Sequence, residues 1–340
     1  MSPARQTELA ATGREQLELH ERASAATTAR FGRRVFVRTV VEVSNYCRES
    51  CDYCGMRREN RGLNRYRASV DALAELLLQH RPDVVTDVML QSGEDPRSIR
   101  DVVLPLLALL KREAPRLGLS ICLGTLDAPT YAELREAGAE VYLMKFEIPT
   151  SERFEQLHAP GTLDERLSHI RALAANGWHV TSGFIAGLPG SAANEAWDAI
   201  QLARTLPLAG CSVSPFIPGE STPLHLDPPA SLDLTLNCMA ALRLARPEWI
   251  IPAVSALGLR DQPEGYRRGL RCGANLVTIN LTPPQWRDHY LLYRKDRIIM
   301  DEQRILRAIE DEGLEPSTTG LVQHLRDTSK PALAAGCLPA

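Results

Sequence analysis

Eight short runs rich in β-branched residues recur along the chain, each separated from the next by an amphipathic stretch. This alternation restricts the fold more than any other feature. The runs are VFVRTVVEVSN (35–45), DVVTDVMLQSG (83–93), LSICLG (119–124), EVYLMKFEI (140–148), HVTSGFIAGL (179–188), GCSVSPFIP (210–218), IIPAVSALG (250–258) and ANLVTIN (274–280). The stretches between them read as helices. SVDALAELLLQH (69–80) opens on Ser69, a suitable N-cap. TLDERLSHIRALAANG (162–177) places Leu163, Leu167, Ile170 and Leu173 at helical spacing and stops at Gly177. APTYAELREAG (128–138) also ends in glycine. Parallel strands need a helical crossover, and eight such units over roughly 250 residues is the size of a complete (β/α)8 TIM-type barrel, an α/β fold. The barrel is expected over 34–281. An N-terminal helical extension (1–33) precedes it, and a C-terminal appendage (282–340) follows. That appendage is a helical cap ending in TSKPALAAGCLPA, whose weak periodicity marks it for disorder.

Composition agrees with one large core. Of 340 residues, 44% are hydrophobic and 24% charged, with a net charge of −3. No basic block offers a nucleic-acid footprint, and no apolar run is long enough for a membrane span. The N-terminus lacks a secretory apolar region, so a cytoplasmic location is expected. In a reducing compartment, clustered cysteines are metal ligands or reactive groups more often than disulfides.

Barrel chemistry sits at the C-terminal ends of the strands. Cys47, Cys51 and Cys54 follow the first strand, spaced C-x3-C-x2-C, and QSGED (91–95) follows the second. Lys145 and Glu147 end the fourth, on one face if the strand alternation holds. GLPG (187–190) closes the fifth, PFIPGESTP (215–223) the sixth, and Ser255 lies near the end of the seventh. A structural zinc would need a fourth protein ligand, but Cys122, Cys211, Cys238, Cys272 and Cys337 each stand alone. Three thiolates and one open position suit an iron–sulfur cluster with an exchangeable ligand.

C-x3-C-x2-C after a barrel's first strand resembles the radical S-adenosylmethionine (SAM) superfamily. The resemblance implies one 4Fe–4S cluster on Cys47, Cys51 and Cys54. Its open iron chelates SAM, which one electron cleaves to methionine and a 5′-deoxyadenosyl radical. Tyr53, before the last cysteine, is then expected to border the adenine. Ser92, Gly93 and Glu94 resemble the superfamily's glycine–glycine–glutamate element, with small residues and a carboxylate for the methionine ammonium. Glu147 and Arg166 are expected at SAM's polar groups, and Gly187 and Leu188 beside the adenine. An electron donor such as flavodoxin or ferredoxin is implied. Arg57, Arg58, Arg61 and Arg65 flank the loop, either supporting its negative charge, meeting that donor, or forming a solvated surface.

CGMRRENRGLNRYR, LQSGEDP and PFIPGESTPL narrow the resemblance to the clan of biotin synthase, methylornithine synthase and the FeFe-hydrogenase maturase HydE, nearest to HydE. Three departures fall near the substrate. Lys145-Phe146-Glu147-Ile148 replaces an Arg-His-Glu-Thr-type stretch, Val141 stands in place of an arginine, and Ser255 in place of paired threonines. Lys145, Ser214 and Ser255 are the candidate substrate contacts. The expected substrate is small and polar, derived from an amino acid or containing sulfur, with hydrogen abstraction and radical addition both open. A true maturase and a non-catalytic iron–sulfur or zinc protein are the alternatives. Strand residues Cys122 and Cys211 read as small core side chains. Trp286, His289, Tyr290 and Tyr293 read as an aromatic cap over the barrel bottom, with substrate contact as the alternative.

Overall fold

The computed structural model describes residues 8–329 except 193, 260–263 and 294–298. Seven parallel strands form one curved sheet in the order β6-β5-β4-β3-β2-β1-β7. They are β1 (Arg34–Ser44), β2 (Asp87–Ser92), β3 (Gly118–Cys122), β4 (Val141–Leu143), β5 (His179–Ala186), β6 (Gly210–Pro215) and β7 (Leu276–Asn280). β7 is the last of the eight runs in the sequence. The seventh run, 250–258, is not a full strand. It makes one parallel bridge from Ile250 to Gly210 and another from Pro252 to Leu276, and so links the sheet's two outer strands. Ser255–Leu259 then turns into a 3-10 helix. Pro252 has no N–H to donate to a ladder, which limits how far a strand can run there.

The helices follow local signals. Ser69 accepts a bond from the Ala72 amide at the start of Val70–Gln79. Thr162 and Glu165 form a reciprocal capping box at the start of Leu163–Ala175. Gly177 takes φ 80 beyond that helix's end, a conformation costly for any residue with a Cβ.

At the N-terminal helix, Gly13–Phe31, Leu19, Ala23 and Phe31 are buried. The C-terminal segment closes the lower end of the barrel. A two-residue strand, β8 (Glu315–Pro316), pairs with the start of β1. Helix Leu321–Ser329 then packs Leu321, Val322 and Leu325 on Phe36, Val141 and Leu276. Asp87, fully buried at the foot of β2, accepts from the amides of Leu321 (2.7 Å) and Val322 (3.0 Å). The tail 330–340 lies outside the described residues. No helix among the described residues is long and apolar enough to cross a membrane.

Candidate active site at the upper rim

The loop after β1 carries the three cysteines, and its path is held by side chains rather than regular structure. Asn45 accepts from the Tyr66 amide (2.8 Å) and donates to the carbonyls of Asn64 and His289. Arg67 forks onto Asp95 at 2.7 and 2.8 Å, and Ser44 donates to the same carboxylate. Gly55 packs so closely that a Cβ would lie 2.4 Å from the Leu291 carbonyl oxygen.

Cys47, Cys51 and Cys54 line one cavity of about 190 Å³. Burial raises the Cys47 thiol, and it raises Cys51 well above the ordinary range with Cys54 and Cys47 adding to the effect. Burial pushes Cys54 up to about 12, assisted by Cys47. Three neighbouring sulfurs that discourage each other's ionisation need a cationic centre to become thiolates together. Among the described residues no three His, Cys, Asp or Glu side chains converge as a single-ion site requires. Three thiols lining one cavity are a donor set that suits an iron–sulfur cluster.

Ser92, Gly93 and Glu94, at the end of β2, line the same cavity. Gly93 has no room for a side chain: a Cβ would meet the Tyr46 carbonyl oxygen at 2.3 Å and the Cys47 Cβ at 2.7 Å. The Ser92 hydroxyl donates to the Gly93 carbonyl at 2.7 Å. Glu94 lies between two arginines, Arg48 at 3.1 Å and Arg166 at 3.5 Å, and accepts from the Thr125 amide. Burial nevertheless raises its carboxyl above the usual range, Arg166 opposing. Arg48, next to Cys47, is a contact that the motif-based reading missed. Its position in chain beside the first cysteine is the signal that could have found it.

Tyr53, Glu147 and Arg166 complete this cavity. Arg166 is buried, donates to the Thr125 hydroxyl at 2.8 Å, and keeps its Nε without a hydrogen-bond partner. Glu147 Oε2 is likewise buried without a hydrogen-bond partner, with Lys145 Nζ 3.9 Å away. Strand alternation does not produce this pairing. β4 ends at Leu143, and Glu147 sits at φ 60, in the left-handed region that a non-glycine residue rarely adopts. Strain of this kind clusters at functional sites.

A second cavity of about 180 Å³ runs down the barrel interior to Arg38, Thr278 and Leu321. Lys145, Ser214 and Ser255 all line it. Lys145 donates to the Ser214 hydroxyl at 3.2 Å. Burial would lower the Lys145 ammonium, but Glu147 and Tyr293 hold it above its ordinary value. Gln91, Cys122, Leu143, Lys145, Leu292 and Tyr293 line both cavities, so the two adjoin at this ring. Cys211 also faces the interior cavity.

Some expected residues fall elsewhere. Gly187 and Leu188 are not among the residues lining the thiol cavity; Ile185 of β5 is. Gly187 packs on Ala230, where a Cβ would lie 2.7 Å from the alanine methyl. Tyr290 and Tyr293 do not cap the barrel bottom. They line the thiol cavity at the upper rim, because the chain after β7 crosses back over the cysteine loop through the Gly55 amide and Leu292 carbonyl. Trp286 stacks on Tyr66 of that loop.

Residues 41–203 match the Radical SAM superfamily. The chain is 33% identical over 290 residues to the [FeFe] hydrogenase maturase subunit HydE of Thermotoga maritima, covering 84% of this chain and 82% of the relative. It therefore belongs to the radical SAM superfamily. It is also 28% identical to 3-methylornithine synthase of Methanosarcina barkeri, over 92% of this chain and 89% of that one. The solved structure of methylornithine synthase superposes with a TM-score of 0.83 at 25% identity, covering 95% of each chain. Biotin synthases match over smaller shares.

Proposed function

We propose that Cys47, Cys51 and Cys54 hold one 4Fe–4S cluster that leaves an iron open to SAM, and that the enzyme acts on a small polar substrate in the barrel interior. When bound, the pair supplies a 5′-deoxyadenosyl radical by one-electron cleavage of SAM. The chain's own residues bind, orient and shield. Glu94 takes the ammonium of the methionine moiety, and Gly93, without a side chain, lets the cysteine loop pack beside it. Arg166 and Glu147, each with an unpaired polar atom in the same cavity, take SAM's remaining polar groups. Tyr53 lies along the adenine face. Lys145, Ser214 and Ser255 meet the substrate, which is derived from an amino acid or contains sulfur, and Tyr293 and Leu292 limit water at the junction of the cavities. The observation that carries this reading is the convergence of three thiols, Glu94, Glu147 and Arg166 on one cavity adjoining an interior one.

The likeness to HydE favours one second reading, a maturase in FeFe-hydrogenase assembly. Against it stand Lys145, Phe146 and Ile148 around a retained Glu147, and Ser255 on the far wall. Anaerobic reconstitution with iron and sulfide, followed by SAM and dithionite, tests the common core. Brown absorbance and release of 5′-deoxyadenosine are expected. Their absence from the wild type would sink both readings and leave a non-catalytic metal protein. A low-potential carrier such as flavodoxin or ferredoxin should replace dithionite. Complementation of a hydrogenase-maturation mutant separates the maturase from an enzyme with another substrate.

A further inference from the structure

Arg65 lies eleven residues beyond the last cysteine, yet its side chain returns to the loop from within. Its Nη1 donates to the carbonyls of Asn45 (2.5 Å) and Met56 (2.9 Å). Its Nη2 donates to those of Arg57 (2.7 Å) and Asn60 (3.3 Å). Asn45 precedes the first cysteine by two residues, and Met56 follows the last by two. One planar group therefore joins the loop's entry to its exit. A lysine can donate to several carbonyls but cannot offer a fixed fork in one plane.

The charge of this side chain also differs from that of its neighbours. Arg57 pairs with Asp52 and Glu59, Arg58 with Glu59, and Arg67 with Asp95. Arg65 meets no carboxylate among the described residues. Burial lowers its guanidinium, and the groups that oppose this are Cys47, Cys54 and Tyr46. A guanidinium stays cationic in a protein. Its charge is thus left for whatever the sulfurs hold.

We propose that Arg65 is a positioning residue for the cluster, with two separable effects: its fork fixes the cysteine loop, and its uncompensated charge raises the cluster's reduction potential. The inference rests on the cluster reading above. A nearby positive charge favours the more negative, reduced state, and net charge and hydrogen bonding are the levers that set such potentials.

The test compares wild type, R65Q and R65K after anaerobic reconstitution, with circular dichroism and melting as fold controls. Two quantities are read: the rate of iron loss to a chelator, and the midpoint potential from a redox titration followed by electron paramagnetic resonance. R65Q should lose iron at least about tenfold faster, since hydrogen bonds to a charged group contribute on the order of 1.5–3 kcal/mol. Its midpoint should move to more negative values. R65K should keep the wild-type midpoint and still lose iron faster. Wild-type iron loss in R65K overturns the fork. A midpoint in R65K more negative than wild type overturns the charge effect, as does an unchanged midpoint in R65Q. If R65Q folds but does not load, the fork is supported and R65K decides the charge. Failure of both variants to load with the fold intact supports the fork and overturns the claim that the two effects are separable. A wild type that takes up no cluster is a different outcome, and it defeats the proposed function itself.

Discussion

The two ends of β2 carry two buried carboxylates that look alike by exposure and differ in what lies beside them. Asp87, at the lower end, is saturated: two amides of the C-terminal helix and the Thr86 hydroxyl donate to it. Glu94, just past the upper end, faces two arginines and a backbone amide, beside a cavity in which Glu147 and Arg166 keep unpaired polar atoms. Around Asp87 the chain seals the barrel with Leu321, Val322 and Leu325. Around Glu94 it leaves space. Burial alone therefore does not distinguish the two, and neither does the number of accepted hydrogen bonds, three at each; the open cavity beside Glu94 does. The contrast matches the division of labour between the faces of a (β/α) barrel.

The strongest way to break the contrast is at the sulfurs. Cys54→Ala should hold no intact cluster, and deoxyadenosine release should fall to background. The fold should survive, with a stability change under about 1 kcal/mol, because one partly exposed sulfur is lost and no buried partner is orphaned. Iron content, deoxyadenosine yield and melting on one preparation decide it. Unfolding would make the loop a structural metal site and erase the distinction between the two ends.

The next two changes form a matched pair. Glu94→Gln should weaken SAM binding at least tenfold, about 1.4 kcal/mol, by removing the charge opposite the ammonium. Stability should hardly change, since burial already disfavours that charge in the folded chain. Asp87→Ala should do the reverse. It leaves two buried amides without an acceptor at a helix start, costing about 2–3 kcal/mol. SAM cleavage per loaded protein should stay within about twofold. Equilibrium titration with SAM and urea unfolding on both variants give the answer. If the two variants lose the same property, the adjoining cavity is not the criterion.

Much of this was legible in the sequence, for reasons that can be located. The alternation of runs gave the barrel, and the cysteine spacing gave the thiol cavity, because both are local patterns. Three features were not legible. The run 250–258 has strand composition, but Pro252 lacks a donor and only two bridges form. Glu147 faces the cavity through a left-handed backbone, which no period-two reading predicts. Tyr290 and Tyr293 reach the upper rim because the chain after β7 returns over the cysteine loop, a long-range contact that depends on Gly55 and Leu292. Arg65 is of the same kind. Its role is set by four carbonyls, and carbonyls carry no sequence signal.

Asp95 sharpens the comparison with the smallest effect. It adjoins Glu94 at the upper rim but, like Asp87, does not line the thiol cavity: Arg67 donates to it at 2.7 and 2.8 Å, and Ser44 at 2.8 Å. Burial works against its charge, but the Arg67 fork and the Ser44 hydroxyl outweigh this and hold the carboxyl below the usual aspartate range. A carboxylate with a lowered native value contributes stability that is whole above its unfolded-state value. That contribution is lost as pH falls through the native value. Asp95→Asn should therefore cost about 1 kcal/mol at pH 7, a figure kept small because Arg67 remains 24% exposed and screened. The difference from wild type should shrink as the solution is acidified and vanish once Asp95 is protonated in both native and unfolded chains. SAM affinity should be unchanged, since Asp95 points at Arg67 and Ser44 rather than into the cavity. Urea unfolding of the two proteins across acid pH provides the measurement. A penalty that persists undiminished in acid would mean that the asparagine disturbs packing, and that the Arg67 and Ser44 bonds are not what Asp95 contributes.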